Sequence, residues 1–138
     1  SAKDRASGGL EVKLDAYIVT PAMRKTNAAP HRITDTHFRH SYWTFGQMLV
    51  HHAINGCNLE TGDLVSSGTV SGPELENAAC LAEITGGVQP IQIPGGESRL
   101  WLQDGDEVIF RGKAQRDGYV SIGFGDCAAA VAPAVAFA

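Results

Sequence analysis

The sequence predicts a mainly β chain with one helix. Three observations carry that expectation. An apolar–polar alternation opens the ordered part of the chain, one later stretch has helical spacing, and after Cys57 short apolar runs are separated by Gly-Gly and Asp-Gly pairs. Alternation with a period of two places one residue set on one face of a strand. Asp-Gly and Gly-Gly suit tight hairpin turns because both tolerate positive φ.

The elements follow in order. In "LEVKLDAYI", Leu10, Val12, Leu14, Ala16 and Ile18 point one way and Glu11, Lys13, Asp15 and Tyr17 the other, which predicts a half-buried strand over Leu10–Ile18. A polar loop is expected from there to about Thr36, with Pro21 and Pro30 as breakers. "SYWTFGQMLVHHAING" predicts the helix. Ser41 is its expected N-cap, and Tyr42, Phe45, Met48, Leu49 and Ala53 form an expected buried stripe. Asn55-Gly56 supplies the stop, with Gly56 suited to a left-handed cap. Strands are then expected over Leu64–Thr69, Cys80–Thr85, Val88–Ile93, Arg99–Gln103, Glu107–Gln115 and Tyr119–Gly123. Turns fall at Gly86-Gly87, Gly95-Gly96, Asp104-Gly105 and Asp117-Gly118.

Bulk properties narrow the function classes. A chain of 138 residues supports one domain with a core rather than two. A net charge of -4 and scattered Lys and Arg argue against a nucleic-acid partner, which calls for a basic face. Cys57, Cys80 and Cys127 are odd in number and lack C-x-x-C spacing, so free thiols in a reducing, cytoplasmic setting are expected. The opening "SAKDRASGG" is charged and small, with no apolar leader after it. The tail "CAAAVAPAVAFA" is apolar but short and broken by Pro133, so no membrane span is expected. The first residue is Ser1 rather than Met, which suggests processing or a piece of a longer protein.

The stretch "LETGDLVSSGTVSGPELEN", Leu59–Asn77, concentrates the chemistry. A phosphate-binding P-loop needs Lys and then Ser or Thr after its glycines, and a dinucleotide fingerprint needs G-x-G-x-x-G; Gly62, Gly68 and Gly72 fit neither. The plain reading is a glycine-containing strand and turn. In the functional reading Gly68 admits a ligand close to the backbone, and Thr69 offers it a hydroxyl and an N–H. Glu74 and Glu76 share a face if extended, as oxygen ligands of a hard cation would, or are simply solvated carboxylates. Glu83 sits between Leu81 and Ile84 in "CLAEITG", either partnered or at the solvent-facing position of a strand. His51 and His52 lie about 100° apart on a helix and cannot chelate as an i, i+4 pair would. His37 and His40, at the helix approach, read with them as packing or surface residues. A serine-hydrolase elbow, Gly-x-Ser-x-Gly, does not occur around Ser67-Gly68.

Taken in order, "YWTFGQMLVHHAINGCNLETGDLVSSGTVSGPELEN", "LAEITGG", "LQDGDEVIFRG" and "DGYVSIGFG" resemble the C-terminal part of the fumarylacetoacetate hydrolase family. The most specific elements are HH-x-I-N-G-C-N-L, G-D-L-x-x-S-G-T-x-S-G-P-E and D-G-Y-x-x-I-G-F-G. They lie between about Phe38 and Ala134, and the first 35 residues match less closely. "GTVSGPELEN" continues beyond the shorter G-T-P-x-G-V-G of acylpyruvate hydrolases and dienoate-type hydrolases, which favours the fumarylacetoacetase branch.

The resemblance implies hydrolysis of the C–C bond of 4-fumarylacetoacetate to fumarate and acetoacetate, the last step of tyrosine breakdown. It implies a mixed β-sandwich roll in a homodimer, with Mg2+ and/or Ca2+ as cofactor. The metal carboxylates, the catalytic His and a Lys lie upstream in the family, so no metal ligand is expected among these residues. Thr69 matches the substrate-binding Thr of S-G-T, with Gly68 keeping that wall low. Glu83 matches the Glu that orients the catalytic His. Residues 1–138 are therefore expected to be the C-terminal segment of a catalytic domain, inactive alone, partnered by the upstream part and serving a small diketo acid. The alternatives are a related 3-oxo acid or acylpyruvate-type hydrolase, and a catalytically inactive β-rich module of the same family.

Overall fold

The computed structural model describes residues 2–135. Ser1 and the end of the apolar tail singled out above lie outside the described residues. The elements run α1 (Ala2–Ser7), β1 (Val12–Val19), α2 (Pro21–Lys25), β2 (His31–His37), α3 (Phe45–Ile54), α4 (Leu81–Thr85), β3 (Ile91–Ile93), β4 (Glu97–Arg99), β5 (Glu107–Ala114) and β6 (Ile122–Ala130). Two 3-10 turns, Phe38–His40 and Leu75–Asn77, lie between them. One sheet has the order β2-β1-β5-β6, and β3-β4 form a separate hairpin; every described pairing is antiparallel. The expected mainly β architecture is observed. Beside the expected helix stand three short ones of five or six residues.

The core gathers where β1 ends. Ile18, Val19, Met23, Ile93 and Ile109 form one buried cluster, with Tyr17, Ile33 and Ile91 packed against it. Full burial of a side chain such as Ile18 or Met23 stabilises by about 1.5–3 kcal/mol. Ile18 and Val19 come from the end of β1, Ile109 from β5, which pairs with β1 along its whole length, Met23 from α2 and Ile93 from β3. Thr20 caps α2 by accepting from the Met23 N–H at 3.1 Å, which directs Met23 inward.

Several local expectations are corrected. The segment to Thr36 is not a loop: it contains α2 and β2. Pro21 starts α2 at N1/N2, where its missing N–H costs nothing, instead of breaking structure. In β2 the inward residues are Thr34 and Thr36, both buried, so a true alternation carried polar letters. The N-cap of α3 is Thr44, not Ser41, and Thr44 with Gln47 forms a complete capping box. The stripe on α3 is not buried: none of its residues is, and Tyr42 is 85% exposed. Leu64–Thr69 is irregular rather than a strand. Cys80–Thr85 is helix α4, closed by Gly86 in the left-handed conformation. Leu81, Ile84 and Thr85, at helical spacing, are its half-buried and buried positions. The last strand begins at Ile122 rather than Tyr119 and runs into the apolar tail as far as Ala130.

Candidate active-site wall

Strand β2 builds the site loop. Thr36 Oγ1 donates to Val70 O at 2.8 Å, Thr34 Oγ1 to Glu76 O at 3.3 Å, and Asn77 Nδ2 to Asp35 O at 2.7 Å. The loop then closes on itself through the Gly72 N–H to Asn77 O at 3.0 Å. A Cβ on Gly72 would stand 2.6 Å from Asn77 Cβ and 3.0 Å from the His40 ring, so only glycine fits there.

Gly68 differs. Its φ is +75°, and nothing lies within 4 Å of where a Cβ would be. Glycine is needed there for the backbone, and the space above it is open. That space belongs to a cavity of about 610 Å³, lined by Gly68, Thr69 and Val70 on one side and by Thr34, Thr36 and Phe110 of the sheet on another. Gly68 and Thr69 are thus brought together on one wall.

Glu83 lies on α4, and Ala79, whose N–H meets its carboxylate, lines the cavity. Glu83 Oε2 accepts from Ser71 Oγ at 2.5 Å and from the Ala79 N–H at 3.1 Å. The Ser71 hydroxyl holds the Glu83 carboxyl below its ordinary value. Burial opposes this, and the N–H groups of Ala79 and Cys80 and the Cys80 thiol reinforce it. The carboxylate is therefore ionised at neutral pH, and it is neither at a solvent-facing strand position nor unpartnered.

The other singled-out residues have local roles or none in the site. His37 Nδ1 accepts from the Arg39 N–H and caps the first 3-10 turn. His40 packs against Gly72. His51 and His52 are exposed on the last turn of α3. Glu74 and Glu76 flank or enter the second 3-10 turn. Among the described residues, no group of three or more His, Cys, Asp or Glu could hold a metal ion. Ser71 and Asn77 were not singled out from the sequence, although both lie within the motif-bearing stretch.

Thr69 thus lines an open cavity from an anchored loop, and Glu83, which does not itself line that cavity, is joined to the same loop through Ser71. Residues 12–132 match the model of the fumarylacetoacetate (FAA) hydrolase C-terminal family. The chain belongs to that family, and the match begins well before Phe38, taking in β1 and β2. Among similar proteins, fumarylacetoacetase of Homo sapiens is 51% identical over 104 residues, which are 75% of this chain and 25% of that protein. Fumarylacetoacetase of Bos taurus is 50% identical over 107 residues, 77% of this chain and 25% of that protein. The Aspergillus fumigatus fumarylacetoacetase fahA is 42% identical over 125 residues, 89% of this chain and 29% of that protein. The chain thus spans about a quarter of the length of these curated relatives.

Proposed function

We propose that residues 1–138 are the C-terminal segment of the catalytic domain of a fumarylacetoacetase, which hydrolyses 4-fumarylacetoacetate to fumarate and acetoacetate. The observation that carries this reading is that the S-G-T segment, in a chain half identical to mammalian fumarylacetoacetases, is an anchored wall of an open cavity. In the reaction, water adds to a carbonyl carbon, the neighbouring C–C bond breaks, and the carbanion of the leaving fragment takes a proton. Thr69 supplies a hydroxyl and an N–H to a substrate carboxylate, and Gly68 leaves room for it to approach. Glu83, kept ionised, accepts from the N–H of a His supplied by the rest of the enzyme and so favours the protonation of that ring as it activates water. Mg2+ or Ca2+, on ligands outside this chain, and a homodimeric, cytoplasmic enzyme complete the proposal. Free thiols at Cys57, Cys80 and Cys127 suit that compartment. No described helix is long and apolar enough to cross a membrane.

The test is loss of the substrate's diketone absorbance, with fumarate identified as product, on the full-length protein. Turnover of acylpyruvates but not of fumarylacetoacetate would replace this reading with that of a sister hydrolase. Thr69→Val keeps shape and removes the hydroxyl. It is expected to raise KM about ten- to a hundredfold with kcat little changed, the loss of a hydrogen bond to a charged group. An unchanged KM would remove Thr69 from the site.

The 138-residue chain alone is expected to leave fumarylacetoacetate intact, since the His and metal ligands of the proposal lie elsewhere. It also exposes Ile122 and Phe124 along edge strand β6, and Val50 and Ile54 on α3. Surface of this kind favours association. The chain should bind a hydrophobic dye, and the remainder of the enzyme added in trans should reduce that signal. Metal-dependent turnover by the chain alone would show that its own residues suffice and overturn the proposed division.

A further inference from the structure

Ser71 makes two contacts with one oxygen. Its Oγ donates to Glu83 Oε2 at 2.5 Å and accepts from the Ala79 N–H at 3.2 Å, while the same N–H reaches Glu83 Oε2 at 3.1 Å. The three groups close a triangle between the site loop and the first turn of α4.

The backbone beneath Ser71 is fixed. Gly72 is wedged between Asn77 and His40, and Asn77 is tied to Asp35 of β2. A Glu at the third position of a helix commonly folds back onto the N–H groups at the helix start. Glu83 does so, but that role needs only backbone donors. The Ser71 hydroxyl is additional: it comes from twelve residues away, on the loop that carries Thr69.

We propose that Ser71 is a positioning residue for the hydrolytic reaction: by holding Oε2, its hydroxyl turns Oε1 of Glu83 toward the imidazole N–H that this carboxylate orients. The inference rests on the reading that Glu83 serves a His from the rest of the enzyme. Ser71 touches no reacting atom; it fixes the angle at which the carboxylate meets the ring. Its loss leaves Glu83 charged and capped by backbone N–H groups but free to swing.

The experiment uses the full-length protein with fumarylacetoacetate. Ser71→Ala is expected to lower kcat about tenfold while KM stays within about twofold. Ser71→Thr, which keeps the hydroxyl, should recover most of that loss. In a Glu83→Gln background, Ser71→Ala should lower kcat no further, because Ser71 acts through that carboxylate. If Ala loosens the fold, Ser71→Cys keeps the size and weakens the donor, and the same split between kcat and KM is read there. Wild-type kcat in the Ala variant, or an equal loss of kcat in both backgrounds, would overturn the role of Ser71 and leave the proposed activity standing. A wild-type protein inert toward fumarylacetoacetate would instead sink the activity, and the role of Ser71 with it.

Discussion

Glu83→Gln in the full-length protein is expected to cut kcat at least about a hundredfold, the scale of a lost contribution to general-base catalysis. KM for fumarylacetoacetate should stay near wild type, because Glu83 is not placed against the substrate. The substitution isolates charge. Gln has the length of Glu, and its amide oxygen can still accept from Ser71 Oγ and the Ala79 N–H, the two donors that hold Glu83 Oε2. The loop and α4 should therefore stay joined, with an unchanged circular dichroism spectrum. On the proposed mechanism, the variant lacks the negative charge that would favour a protonated imidazole as the attacking water gives up its proton.

The Glu83 carboxyl is held below its ordinary value, chiefly by the Ser71 hydroxyl. The group contributes stability that is complete above the ordinary value of 4.5 and fades as pH falls through the lower folded-state value. Near neutral pH the wild-type carboxylate is ionised throughout, so the titration of Glu83 itself adds no pH dependence to the deficit of the Gln variant there. Wild-type turnover in Glu83→Gln, measured by steady-state kinetics, would reduce Glu83 to a helix-capping residue.

The sequence made some of this legible because local and tertiary signals agreed. The alternation in Leu10–Ile18 and the strand expected over Glu107–Gln115 became the paired centre of the sheet, β1 and β5. Gly95-Gly96 falls between β3 and β4, as a hairpin turn should. Elsewhere the letters misled for physical reasons. β2 buries Thr34 and Thr36, whose hydroxyls are satisfied by Glu76 O and Val70 O. Those bonds exist only once the site loop has folded over the strand, so nothing in "HRITDTH" alone marks the Thr as inward-facing. "CLAEIT" is short enough to fit either period. The helix was decided by tertiary context, including the contacts that Ser71 and Ala79 make to Glu83. The spacing of α3 predicts Phe45 and Leu49 as core, yet they remain exposed on this chain. The stripe was real, but periodicity does not say what covers it. The site shows the same division. The proposed roles of Thr69 and Glu83 rest on a motif, whereas the Ser71 contact depends on a fold-back that residue spacing does not encode.

Asp106→Ala is expected to destabilise the full-length protein by about 3–5 kcal/mol, the cost of breaking one side of a buried ion pair. Asp106 is fully buried, and the Arg99 side chain is 6% exposed. The contact is bidentate: Arg99 Nε donates to Oδ2 at 2.7 Å and Nη2 to Oδ1 at 2.9 Å. The Gln103 N–H adds a third donor to Oδ2 at 2.9 Å. Arg99 also reaches Glu97, and Glu97 accepts from Thr20, the N-cap of α2. One chain of contacts thus ties the end of β1, the β3–β4 hairpin and the start of β5. Removing the carboxylate leaves Arg99 Nε and the Gln103 N–H without their acceptor, with Glu97 and Ser98 O the guanidinium's remaining partners.

Asp106→Asn should rescue little, since its amide nitrogen faces donors where an acceptor is needed. Arg99→Met with Asp106→Leu should recover much of the loss, because no charge is then left buried. Burial pushes the Asp106 carboxyl up, but Arg99 and the Gln103 N–H outweigh it and hold it below its ordinary value. The stabilisation is therefore complete above 3.8 and is lost as pH falls through the lower folded value. Urea melts of wild type should weaken progressively as pH drops below that point, and the Ala variant should lack that component. β5 carries Phe110 to the cavity, so activity should fall in step with folding and return with the Met/Leu pair. An Asp106→Ala variant that melts within about 1 kcal/mol of wild type would mean that Arg99 finds water or another acceptor when its partner is gone, and the corner would not depend on this pair.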